Sequence, residues 1–266
     1  MERVTRLQTF ARIGYLARGI VYILLGYFAL TTAGSGGTTG VLQQIEEMPA
    51  GGILLGLVGI GLLGYGIFRL YGAMIDLEGH GTDAKGIGTR VGHAASGFAH
   101  LFLGYYALSA ATGTDSGGGG GGNTEGEAAS TLVSMPGGTF VLGLIGIGFL
   151  LAALNQVRKA ISGNFMYLLD ADAPSFTKHV GRAGYAARAV VFAILGWTIA
   201  GAAWGGDASE VGGIGQVLND LRGMGWAYQL VAAGLLLFGV FSLVMARYRT
   251  IRDEDVIARL KAEVRS

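Results

Sequence analysis

Long apolar runs separated by short polar connections set the plan of this chain. Six runs reach about the 20 residues that a helix needs to cross a hydrocarbon core. They are Ile13–Thr32, Gly52–Ile75, Val91–Thr112, Gly138–Val157, Gly184–Trp204 and Trp226–Met245. The pattern predicts an all-α integral membrane protein with six transmembrane helices in a single membrane domain.

The runs are related to one another. Arg12, Gly14, Tyr15, Ala17, Arg18 and Gly19 open the first, and Arg182, Gly184, Tyr185, Ala187, Arg188 and Ala189 open the fifth. Arg90, Gly92, His93, Ala95, Ser96 and Gly97 open the third at the same offsets. The even-numbered runs repeat as well: Gly61, Tyr65 and Phe68 align with Gly234, Phe238 and Phe241, and the Ile145–Leu151 stretch fills the same place between them. Met48-Pro49 and Met135-Pro136 precede the second and fourth runs. The expected architecture is three tandem parallel hairpins in a pseudo-threefold arrangement about an axis along the membrane normal. Repeat one covers 10–85, repeat two 86–175 and repeat three 176–250, with 251–266 a cytoplasmic amphipathic tail carrying Ile257, Leu260 and Val264 on one side. Arg3 and Arg6 before an apolar run, with Ala29 to Ala33 near its end, have the form of a signal peptide. Because the same segment recurs as the fifth run, it is assigned to the repeat instead.

The Arg-x-Gly-Tyr-x-Ala-Arg-Gly opening resembles that of the bacterial membrane proteins of the domain of unknown function 1206 family. The resemblance extends from about Arg12 to Arg249 and is fullest in the first copy. Copy three departs at Ala189, and copy two at His93, Ser96 and His100. It implies three two-helix repeats and a place in the bacterial membrane, and it brings no activity.

Charge adds an orientation. Of the 19 Lys and Arg residues, every one except Arg222 falls within 1–18, 69–90, 158–188 or 247–266, that is, in the terminal segments, in the second and fourth connections, or in the ends of the runs that adjoin them. All of these positions lie on one side of a six-span chain. By the positive-inside rule both termini are cytoplasmic, in the inner membrane. The connections 33–51, 113–137 and 205–225 then face outward.

Composition agrees with the membrane reading: 51% hydrophobic, only 14% charged, and 49 glycines. With three prolines and no Gly-X-Y period the glycines are not collagenous. They sit within apolar runs, where small residues let helix backbones approach. A net charge of +1 gives no basis for nucleic-acid binding, and the absence of cysteine excludes disulfides, thiolate metal sites and cysteine nucleophiles.

Candidate chemistry is sparse. Gly59, Gly61 and Gly64 match the dinucleotide fingerprint in letters, but they lie inside a continuous apolar run rather than at a strand-to-helix turn. The Gly117–Gly122 run has no Gly-Lys-Ser/Thr after it and reads as a flexible linker. No carboxylate falls within a run, and no catalytic motif is present, so an enzyme is not expected. Asp76, Glu78, Asp83, Asp170 and Asp172 sit among basic connections and read as solvated.

The paired arginines are more informative. Arg12 with Arg18, and Arg182 with Arg188, are six residues apart, about 9 Å along a helix, so the second lies deeper. Such side chains snorkel to the interface as topology anchors, bind the phosphate of anionic lipid head groups, or line a pathway. His93 and His100 share a helical face in the middle copy, close in composition to Asn155 and Gln156. Interhelical hydrogen bonding is the plain reading of these histidines and proton or substrate handling the functional one. They do not by themselves make a metal or haem site, and no cofactor is expected. Gln156 aligns with Arg69 and Ser242, giving one polar group per copy at a single depth. That layer is either an axial constriction or the level at which each helix leaves the bilayer. The partner expected throughout is the phospholipid bilayer. Passage of a small solute or ion is the leading functional expectation, and a lipid-binding scaffold or accessory subunit the alternative.

Overall fold

The computed structural model describes residues 2–31, 45–47, 49–113, 124–205, 208 and 211–250, and the structural statements below concern these. Eight α-helices lie among them: α1 (Glu2–Thr31), α2 (Gly51–Met74), α3 (Ala84–Ala111), α4 (Thr124–Ser134), α5 (Gly138–Ser162), α6 (Thr177–Ala203), α7 (Ile214–Arg222) and α8 (Trp226–Tyr248). A 3-10 helix, Asn164–Leu168, follows α5, and no strand occurs among the described residues. The 251–266 tail lies outside them.

Five helices are long and apolar enough to cross a bilayer: the Ala11–Thr31 part of α1, and α2, α5, α6 and α8. The third expected span does not reach that apolarity. α3 has 28 residues, ample in length, but Ser96, His100, Tyr105 and Tyr106 dilute its apolar stretch. Its start is well defined, since the Asp83 carboxylate accepts from the Gly86 N–H at 2.8 Å and caps the helix. The connection 113–137 carries the helix α4 over part of its length, packed on α5. Its Gly117–Gly122 run lies outside the described residues.

The long helices pack in the order α3, α2, α1, α8, α6, α5, each against the next. Small residues make the contacts possible. A Cβ on Gly184 would lie 2.7 Å from the Phe238 backbone, and Gly14 meets Tyr65 in the same way between α1 and α2. Gly61 takes Ala17 and Gly234 takes Ala187 at matching places. Three further contacts share a second geometry: Gly26 on Leu236, Gly104 on Leu63 and Gly196 on Leu150, each with under 3 Å to spare for an added carbon. Backbones this close gain dispersion contacts that lipid tails cannot replace.

The middle copy behaves differently. Gly92 and Gly148, which correspond to Gly14 and Gly61, have no neighbour within 4 Å. Consistently, α3 and α5 form no packed interface. Sequence explains this in part, because the position held by Tyr65 and Phe238 is Ala152 in α5, so the aromatic that fills the first and third hairpins is missing.

Candidate functional site

The second arginines of the opening motif enter the bundle. On α1, Tyr15, Arg18 and Tyr22 recur at helical spacing on the inward face. Arg18 is only 8% exposed, which excludes snorkelling. Its Nε donates to Ser242 Oγ at 3.2 Å and its Nη1 to the Tyr65 hydroxyl at 2.7 Å. Its guanidinium carbon lies 4.6–5.1 Å from the ring centres of Tyr15, Tyr65 and Phe238. Arg188 on α6 approaches Phe238 at 4.4 Å and Phe192 at 4.7 Å, so one ring serves both arginines. The Arg188 Nε is buried without a hydrogen-bond partner.

The first arginines act otherwise. Arg182 Nε donates to the Ala160 carbonyl at 2.6 Å, and Arg90 donates to the carbonyls of Ala73 and Met74 at 2.7 and 2.9 Å. These oxygens belong to the last turns of α5 and α2, which lack helical partners and carry partial negative charge. Arg12 is half-buried, its Nε unpartnered. In the α6 pair, six residues apart, Arg182 thus caps a helix end and Arg188 is an interior cation.

The polar layer also faces inward. Ser242 is fully buried, and Gln156 is 8% exposed with its Oε1 unpartnered. Arg69 lies beneath Tyr65, 3.9 Å from Glu78. Asn155, in contrast, is exposed on the outside of α5 and takes no part. The two histidines separate. His100 packs edge-on to Tyr65 with centroids 4.6 Å apart, and its Nδ1 lies 2.6 Å from the Ser96 carbonyl, which makes Nδ1 the protonated nitrogen. His93 instead reaches the connection between α2 and α3.

That connection holds what the sequence did not single out. Glu78, expected to be solvated, has a side chain only 13% exposed and accepts from Arg249 Nη2 at 2.8 Å. Its other oxygen is 3.5 Å from His80 Nε2 and 4.0 Å from His93 Nε2. Burial by itself would raise the Glu78 carboxyl, but His80, Arg249 and Arg69 outweigh it and hold the group well below its usual range. Arg249, which reads in sequence as one more basic residue after the last helix, is 2% exposed. Asp76, at φ 52°, shapes the turn by accepting from the N–H groups of His80 and Gly81. A small cavity of about 10 Å³, room for about one water, is lined by Arg69, Glu78, His93 and Phe68.

Arg18, Arg69, Arg188 and Arg249 therefore approach one another through shared aromatic rings, and among the described residues Glu78 is the one carboxylate paired with the cluster, through Arg69 and Arg249. Cation–π contacts offset part of the several kcal/mol that burying a charge costs, but they supply no countercharge. Such a cluster is poised to receive negative charge.

The arrangement defines a helical protein of membrane type with a cationic, aromatic-lined interior. The family described as Domain of Unknown Function (DUF1206) matches the chain three times, at residues 13–76, 91–163 and 183–249, and the chain belongs to that family. The chain is similar to the "Uncharacterized protein YxxB" of Bacillus subtilis (strain 168), 32% identical over 255 residues and covering 91% of each chain. No solved structure matches.

Proposed function

We propose that this protein is a six-span inner-membrane bundle of three hairpin repeats, with cytoplasmic termini, that takes small anions into its interior and passes them across the bilayer. One observation carries the reading: among the described residues four interior arginines cluster around shared rings, the single carboxylate paired with them, Glu78, meets only Arg69 and Arg249, and the Nε groups of Arg69, Arg188 and Arg249 have no hydrogen-bond partner. Guanidinium forks match phosphate and carboxylate oxygens, and low-dielectric surroundings strengthen that attraction. The matched glycine contacts Gly14–Tyr65 and Gly184–Phe238, and the triple family match, support three copies around one axis. α3, as long as its neighbours and packed along α2, serves as the sixth span.

A second reading rests on the unpacked face between α3 and α5, where Gly92 and Gly148 meet nothing. There an anionic phospholipid head group would have lateral access, and the protein would hold lipid rather than move solute.

Two experiments test these points. Because the native chain has no cysteine, single-cysteine variants report topology cleanly: Gly119→Cys should react with an impermeant thiol reagent on intact cells, and Ser266→Cys should not. In proteoliposomes, uptake of inorganic phosphate or chloride should exceed that of empty vesicles and fall about tenfold or more in Arg188→Met, as expected on losing a charged hydrogen-bond donor. Uptake equal to empty vesicles, with phospholipid lost from purified Arg188→Met, would replace passage by lipid holding.

A further inference from the structure

The turn after α2 brings Glu78 and His80 against His93 of α3, so that one carboxylate oxygen and two ring nitrogens lie within 4.8 Å of one another. We propose that these three side chains bind one divalent transition-metal cation of zinc type, with the remaining coordination position open toward the neighbouring cavity. A tetrahedral zinc ion with ligands at about 2.0–2.2 Å spaces them about 3.4 Å apart. The Glu78–His80 separation, 3.5 Å, already has that spacing, and the Glu78–His93 separation, 4.0 Å, closes to it with a shift of about half an ångström.

The surroundings are built for a ligand set. Asp76 fixes the turn that carries His80, and the His80 Nε2 is buried with no hydrogen-bond partner. Arg249 engages Glu78 Oε1 at 2.8 Å, which leaves Oε2 to the two imidazoles and orients the carboxylate as an outer partner does. The cavity lined by Glu78 and His93 has room for about one water, the species that completes an open three-ligand site. Two imidazoles with a carboxylate suit a borderline cation such as Zn²⁺ or Fe²⁺, rather than Ca²⁺ or Mg²⁺, which take oxygen ligands. Arg69 and Arg249 oppose a cation here, so a bound metal would draw hydroxide or another anion into its open position. The site shares Glu78 with the arginine cluster, but metal binding is read on the purified chain without any anion flux, so it fails or stands separately from anion passage.

The test uses the full chain, purified without a histidine tag and stripped with chelator. Titration with Co²⁺ should give visible ligand-field absorption that saturates at about one ion per chain and is displaced by Zn²⁺. His80→Ala, on a partly exposed turn, and His93→Asn should each weaken binding about tenfold or more. His179→Ala, on exposed surface, should leave it unchanged, and gel filtration and melting confirm that each variant folds. Absence of stoichiometric Co²⁺ or Zn²⁺ binding by wild type overturns the proposal. So does unchanged binding in folded His80→Ala.

Discussion

Glu78→Gln should melt about 5–10 °C below wild type at pH 7, measured in detergent with chelator present so that the ion pairs alone are compared. The substitution leaves Arg249, 2% exposed, and Arg69 without their countercharge. Removing one partner of a buried pair costs about 3–5 kcal/mol, because the remaining charge stays desolvated. The pH dependence has a definite sign. The Glu78 carboxyl is held below its ordinary value in the folded protein, so its contribution is fully present above the ordinary glutamate range and disappears as pH falls through the folded value. The gap between wild type and variant should therefore be constant at neutral pH and shrink on acidification below about 4.5. A gap that widened toward low pH would contradict the ion-pair account.

A pair of glycine substitutions should give the next largest contrast. Gly104→Leu forces side-chain atoms into the α2 backbone near Leu63, where an added Cβ already lies within 2.9 Å. Overpacking of this kind costs about 1–3 kcal/mol. Here the helices must also separate, so loss of the folded bundle on gel filtration is expected. Gly148→Leu enters open space and replaces a poor helix former with a good one, worth about 1 kcal/mol in its favour. It should match or exceed wild-type stability. Equal damage from both would mean that α3 and α5 close on each other as the other hairpins do.

Much of this architecture was legible in the chain. Run length gave the helices, and the spacing of Arg12, Gly14 and Arg18 against Arg182, Gly184 and Arg188 gave matched hairpins whose glycine contacts coincide. The α3–α5 opening was not foreseen, although Ala152 in the place of Tyr65 and Phe238 was its trace in the sequence. The site was only half visible. Arg18, Arg69, Gln156 and His100 could be picked out because polar groups within apolar runs stand apart. Asn155 stood out for the same reason and faces outward, since adjacent helical positions point about 100° apart. Glu78 was read as solvated, and His80 and Arg249 escaped notice, because a polar connection and a basic helix end look the same whether they lie in solvent or fold back over the bundle. The one local hint is Leu77, apolar between Asp76 and Glu78 and itself buried, which pulls its neighbours inward.

The central claim is that the interior arginines are kept for an anion rather than for stability. Melting of wild type and Arg188→Met, each with and without inorganic phosphate or sulfate at constant ionic strength, tests it most directly. Wild type should gain about 2.7 kcal/mol at an anion concentration a hundredfold above its Kd. Arg188→Met, relieved of a cation whose Nε has no partner, should melt no lower than wild type without anion and gain nothing from it. A variant that melts far below wild type, with the anion response intact, would show Arg188 to be structural and contradict the account.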